Sequence, residues 1–211
     1  MGLRLWVLVL LCCSCLTHLP APYHYVQVGG ASIVPLKEYH IWIDKTFGEA
    51  DKLAMDDAIR QWNYALNGYV VLKVESMDFD MEPSIASKVL LGGGWIVMKI
   101  DHFNPMVREV DRPARPGEPQ YYTLAWVNRI GGNRMWIIRD RMSNEAVEGV
   151  MLHELGHLLG AEHDQVYLMQ PHYKWEDYRC VDYEAVKRVA RYQHLPMDRL
   201  NYCLYEPSLH N

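Results

Sequence analysis

Between Asn144 and Asp164 the chain reads NEAVEGVMLHELGHLLGAEHD, and the spacing inside this run constrains the molecule more than any other feature of the sequence. Val147, Met151, Leu155 and Leu158 recur at helical intervals, so the run predicts a helix that packs an apolar stripe and presents its histidines to a cleft. Ser143 or Asn144 suits its N-cap, and Glu145 and Glu148 place negative charge near its positive end. Positions four apart on a helix lie within roughly 40° of each other, so His153 and His157 project from one face and can share an ion. Gly160 can take the left-handed conformation that ends a helix, which turns the chain back and lets His163 reach the same ion. Three neutral imidazoles suit Zn²⁺ and leave a fourth position open, as in catalytic rather than structural sites. Glu154 is not needed to hold the metal. It is placed as general base toward a water polarised by zinc, and as general acid toward a leaving amine. The plainer alternative, an amphipathic helix with solvated histidines, has to explain Gly160 and His163 as coincidence.

A site of this kind needs a core behind it, and 211 residues, 50% hydrophobic and 22% charged, suffice for one domain. A formal net charge of -5 speaks against a partner bound by phosphate neutralisation, so no nucleic acid is expected. Nothing suggests a nucleotide, flavin or haem. Residues 1–19, MGLRLWVLVLLCCSCLTHL, carry Arg4 and then an apolar run from Leu5 to Leu16. That run is shorter than the roughly 20 residues a bilayer-spanning helix needs, and reads as a signal peptide or a lipoprotein leader with cysteines available for lipid attachment. The protein is accordingly expected to be secreted, or anchored to the cell surface with only the lipid in the membrane. Residues 20–38 form a short N-terminal segment and residues 39–211 the catalytic domain. Outside the leader only Cys180 and Cys203 remain, either as a disulfide closing a C-terminal loop or as two reduced thiols.

Alternation and helical spacing predict a strand at Tyr39–Asp44 and a helix at Glu49–Leu66 closed by Asn67-Gly68, then strands at Tyr69–Val74 and Trp95–Ile100. From Asp101 to Gln120 the chain changes character. Pro105, Pro113, Pro116 and Pro119 break regular structure there, giving a long loop that either borders a working site or is a surface excursion. Strand signals resume at Tyr121–Val127 and Arg134–Ile138 across a hairpin connection, and a last helix is expected at Asp182–Tyr192.

HELGHLLGAEH matches the pattern H-E-x-x-H-x-x-G-x-x-H of the metzincin clan of zinc metallopeptidases. Tyr167-Leu168-Met169-Gln170-Pro171 resembles the clan's methionine turn, and Leu-Met-x-Pro is most similar to the matrixin family. The resemblance implies an α+β, metzincin-like zincin fold. Its parts would be a twisted mixed sheet with an edge strand over the cleft, two long helices in an upper subdomain, and a small C-terminal subdomain with one helix. It implies that His153, His157 and His163 bind zinc, that Glu154 is catalytic, and that Met169 forms an apolar floor under the histidines. A peptide would lie along the edge strand Tyr121–Val127 by β-augmentation. The activity implied is that of a monomeric, secreted or surface-anchored zinc endopeptidase acting on proteins or peptides. Trp136 is expected in the core, whereas Tyr122 and Trp126 either shape substrate side chains or are core aromatics. His172 and Tyr173 are candidates to assist an oxyanion, at an offset unusual for the clan.

Some features depart from the family. Five residues separate His163 from Met169, a tight connection for a matrixin, and no Pro-Arg-Cys-Gly-type cysteine segment precedes the domain, so latency by a cysteine switch is not expected. Asp78, Asp80 and Glu82 alternate in a way that could hold calcium, but a solvated acidic loop explains them more simply. His102 stands isolated, with no second zinc site around it. Two rivals stay open: a noncatalytic peptide-binding module with structural zinc, which would not need Glu154, and a hydrolase of cell-wall or other specialised amides.

Overall fold

Alternating side chains set the sheet. In the computed structural model, which describes residues 23–32, 35–111, 113–114, 117, 119–173 and 178–205, Ile41, Ile43, Val97, Met135 and Ile137 are fully buried on one face. Trp42, Met98 and Trp136 are half-buried on the other. In chain order the elements are β1 (Tyr23–Val26), β2 (Lys37–Asp44), α1 (Glu49–Leu66), β3 (Val70–Phe79), α2 (Pro83–Leu91), β4 (Trp95–Ile100), α3 (Pro105–Val110), β5 (Ala125–Val127), β6 (Arg134–Ile138), α4 (Asn144–Leu159), α5 (Tyr183–Gln193) and β7 (Tyr202–Tyr205). Short 3-10 turns occupy Arg139–Arg141, Tyr167–Met169 and Met197–Arg199. Five strands form one sheet in the order β3-β2-β4-β6-β5, parallel except for the antiparallel outer strand β5. The expected α+β class with a mixed sheet is the one observed.

α1 and α4 cover the apolar face together, through Met55, Ala58, Ile59 and Trp62 of α1 and Val147, Met151 and Leu155 of α4. Trp62 is fully buried and donates its indole N–H to the Leu152 carbonyl at 2.9 Å, which fixes α1 beside the turn of α4 that carries His153. Buried Asp51 accepts from Arg139 Nε at 2.8 Å, so α1 is also tied to the turn that leads into α4. Below the cleft, α5 is joined to the end of α4 by a Gln193 amide that donates to the Leu159 carbonyl at 2.8 Å. β1 pairs antiparallel with β7, and Cys180 and Cys203 form a disulfide. By the chain-entropy model a bridge closing a loop of this size contributes about 3 kcal/mol.

Several expectations change. α2 was not anticipated; it starts at Pro83 in the first turn with Glu82 accepting from the Ile85 N–H. Within the loop at 101–120, Pro105 opens a helix rather than breaking one, because Asn104 caps α3 and a proline in the first turn forfeits no helical hydrogen bond. β3 runs on to Phe79, with register irregularities opposite Trp42. The expected strand at Tyr121–Val127 is regular only over Ala125–Val127. Trp136 is not in the core: it stacks on Trp126 with ring centroids 5.3 Å apart, on the face opposite buried Met135 and Ile137. The expectations of a signal peptide or lipidated cysteine fall on residues 1–19, outside the described residues.

Candidate metal centre

α4 is buried on every side from Gly149 to Leu159, not on one stripe as its spacing suggested. Packing against the sheet, α1 and α5 accounts for this, and His153, Glu154 and His157 sit within the buried stretch. The helix ends at Gly160 with φ 107, and the Ala161 N–H returns to the Gly156 carbonyl at 2.8 Å. A side chain at Gly160 would be strained by that φ and would also run into the Tyr192 ring, 2.0 Å from an ideal Cβ. The sharp turn carries His163 back beneath the helix.

The Nε2 atom of His163 lies 3.3 Å from that of His153 and 3.1 Å from that of His157. The other nitrogens of the two helical histidines are spoken for: His153 Nδ1–H donates to the Leu168 carbonyl at 2.6 Å, and His157 Nδ1–H to the Ala161 carbonyl at 2.7 Å. Because a carbonyl can only accept, both rings carry their proton on Nδ1 and turn a bare Nε2 lone pair inward. Converging lone pairs repel one another unless a cation lies among them. Nitrogens about 2.0–2.1 Å from a tetrahedral zinc would stand about 3.3–3.4 Å apart, so the three imidazoles fit that ion. Among the described residues, these three histidines form the one group of three donors close enough to hold a metal.

Burial keeps the imidazoles unprotonated. It lowers His153 to about 3, with His157 as a further cause, lowers His157 to about 4, and also pulls down the more open His163, which His172 depresses further. Burial alone pushes Glu154 up to about 8, and its Oε2 is buried without a hydrogen-bond partner. An orphaned carboxylate oxygen in the same buried site as three converging imidazole nitrogens, two of them bare, is the arrangement that a bound cation would resolve, since positive charge favours the ionised form.

Outside the ligands, the supports differ. His157 is oriented by the end of its own helix. His153 depends on Leu168, whose N–H is in turn held by Asp182 Oδ2 at 3.1 Å, while Oδ1 of the same carboxylate caps α5 through the N–H groups of Glu184 and Ala185. The Tyr178 ring stacks on His153 with centroids 5.0 Å apart. The segment after His163 is fixed by the Asp164 N–H, which donates to the Met169 carbonyl at 2.7 Å, and by its carboxylate, which pairs with Arg188. Met169 packs under the helix where Gly156 has no side chain: an ideal Cβ there would stand 2.6 Å from the Met169 sulfur.

The centre opens into a cleft of about 1180 Å³ walled by Tyr121, Tyr122, Leu124, Val150, Tyr173 and Tyr178. His172 lies there too, stacked on Tyr121 with centroids 4.3 Å apart, so the upper and lower lips of the cleft touch. Trp126 and Trp136 are not among the lining residues. His102 is not isolated; its backbone N–H donates to Asp140 Oδ1 at 3.0 Å and its ring pairs with the same carboxylate. The acids considered for calcium are engaged separately, Asp78 with Lys52, Asp80 with Lys45, and Glu82 at the α2 cap.

Asp182, Asp164 and Tyr178 escaped the sequence reading. Asp182 carries a legible signal as an N-cap, but nothing local shows where its second oxygen goes.

No family model matches the chain, and no curated protein matches it in sequence. Among solved structures it is similar to metalloproteinase-II from Bacteroides fragilis, with 15% identity and a TM-score of 0.48 over 79% of this chain and 56% of that one. It is also similar to archaemetzincin from Methanopyrus kandleri, with 15% identity and a TM-score of 0.42 over 76% of this chain and 96% of that one. The chain thus spans little more than half the length of the Bacteroides protein.

Proposed function

We propose that the chain is a zinc metallopeptidase, and more finely a secreted or surface-anchored endopeptidase of matrixin-like type. The observation that carries the reading is the convergence of three imidazole Nε2 atoms, two of them bare, together with the partnerless, buried oxygen of Glu154 at the base of an open cleft. His153, His157 and His163 would hold the ion. When bound, zinc supplies Lewis acidity toward the scissile carbonyl and the attacking water. Glu154 takes up the proton of that water at Oε2 and delivers it to the leaving nitrogen, so that one carboxylate serves as base and then as acid. The outer edge of β5 offers backbone groups to an extended peptide, and the aromatic walls shield the reacting bond from bulk water.

The methionine turn Leu168-Met169-Gln170-Pro171 and the packing of Met169 against Gly156 support the matrixin-like branch. The leader-like residues 1–19 and the Cys180–Cys203 disulfide support an oxidising, extracellular location. The protein acts as a monomer on protein or peptide substrates. A noncatalytic module would have no use for a buried carboxyl at Glu154.

The test is Glu154→Gln, assayed on a diverse peptide library read by mass spectrometry together with zinc content. The variant should retain stoichiometric zinc and lose at least 1000-fold in cleavage; cleavage at the wild-type rate would overturn the mechanism. Chelation should abolish wild-type activity and added zinc should restore it.

A further inference from the structure

The edge of the sheet that faces the cleft is shorter than its sequence suggests, and side chains of the protein itself close it. The Asn128 N–H donates to the Arg134 carbonyl at 3.0 Å and the Ile138 N–H to the Leu124 carbonyl at 2.8 Å, so even-numbered residues of this strand turn their backbone toward β6. By the alternation of an antiparallel ladder, Val127, Ala125 and then Thr123 turn theirs outward. Thr123 has nothing left to offer. Its N–H donates to Asp111 Oδ1 at 3.0 Å, and its carbonyl accepts from an Arg141 guanidinium nitrogen at 2.9 Å. Its hydroxyl donates to the Val110 carbonyl at 3.3 Å.

Asp111 and Arg141 are themselves joined by two parallel hydrogen bonds of 2.9 and 2.7 Å. Their side chains are only 20% and 16% exposed, and the guanidinium lies over the Tyr122 ring. Such a bidentate pair is geometrically rigid. The carboxylate accepts where the carbonyl of an added strand would accept, and the guanidinium donates where its N–H would donate. Thr123 and Arg141 both line the cleft with His153, Glu154 and His163, so the occupied position belongs to the lip over the metal centre.

We infer that the Asp111–Arg141 pair is a built-in stop for substrate, standing in for one residue of peptide and ending the register of β-augmentation at Ala125. The outward groups of Ala125 and Val127 then hold an extended peptide over roughly 7 Å, the rise of two strand residues. Beyond that point on the Thr123 side the peptide must end or turn away. The substrate class is therefore a peptide with a short extended segment on one side of the bond cut. This inference rests on the peptidase reading above.

The test is a ladder of synthetic peptides sharing one core that the wild-type protein cleaves, lengthened residue by residue from each end. For wild type, kcat/KM should stop rising early on one side and continue on the other. In Asp111→Ala/Arg141→Met, which removes both charges together and leaves none unpaired, the next residue on the blocked side should add about five- to tenfold in kcat/KM relative to the shorter peptide, the effect of about one hydrogen bond. Where wild type cleaves no peptide, the ladder is built instead on a core that it binds and is titrated calorimetrically, so a protein that binds but does not cleave loses the peptidase reading and keeps the stop. A wild-type gain that continues equally on both sides overturns the stop. So does a folded double variant whose ratios match wild type. Should the double variant not fold, the wild-type ladder alone decides. If no peptide binds or is cleaved, both the stop and the peptidase reading fall.

Discussion

The floor of the cleft is made by α4, buried on every side from Gly149 to Leu159, with the buried Leu168 and Met169 of the methionine turn and the inner face of α5 packed beneath it. Its lip, the described residues between 101 and 124, lies largely at the surface and is held by a few polar contacts. The two helical ligands are each positioned by a backbone carbonyl that is itself anchored in the core, His157 by Ala161 and His153 by Leu168. The lip hangs from two neighbouring residues of one turn, Asp140 gripping His102 and Arg141 gripping Asp111 and Thr123. On the proposed function the contrast assigns work: the floor would determine whether an ion is held and a proton moved, while the lip would determine which peptide lies across them. Reshaping the lip should therefore leave the floor's chemistry in place.

The sharpest way to break that division is at Asp182. Asn caps a helix as well as Asp does, yet its single carbonyl oxygen can serve either the α5 N-terminus or the Leu168 N–H and not both. Asp182→Asn should weaken zinc binding by about 10- to 100-fold, as loss of an outer support of a metal ligand does, with a smaller change in melting temperature. Competition against a chelator of known affinity measures it, and unchanged affinity would show that His153 does not need the support.

The floor also carries the groups with displaced protonation, so metal-free protein should show a stability optimum. The folded-state pKa values of His153 and His157 lie below the free imidazole value of 6.5. Their contribution is complete above pH 6.5 and is lost as pH falls toward 4 and 3. Glu154 runs the other way: raised from 4.5 to about 8, it contributes fully below about pH 4.5 and its contribution drains away as pH rises to about 8. Urea midpoints in chelator should peak near pH 6.5, and Glu154→Gln should lose the alkaline decline; an equal decline in both proteins would remove Glu154 as its cause. The smallest effect is expected at the lip. Tyr121→Ala, which removes the ring stacked on His172, should change KM a few-fold and leave zinc affinity as it was. A matching loss of zinc would erase the distinction between lip and floor.

The same division explains what could be read from sequence. The histidines, Glu154 and Gly160 depend on spacing within one helix and its turn, and the sequence states spacing directly. α1, β4 and β6 likewise follow from local periodicity. The lip does not. Pro105 read as a breaker because only the capping by Asn104 shows it to be a helix start, and the strand expected from Tyr121 is cut short by Asp111, twelve residues before the Thr123 it occupies. Trp136 looked like core because large aromatics usually are; its face was set by its buried neighbours Met135 and Ile137. The pairing of β1 with β7 joins residues far apart in the chain and left no local mark.

That last pairing makes the described chain nearly a ring, with Tyr23 opposite Tyr205. A load applied to both ends would unzip the ladder one rung at a time, the weak direction for an antiparallel pair. It would then meet Cys203. From there tension passes across the disulfide to Cys180, bypassing α5 and the capping oxygen of Asp182 on its way to the rest of the fold. Mechanically, the covalent bridge is a shunt that would spare α5 and the Asp182 cap while the ends come apart.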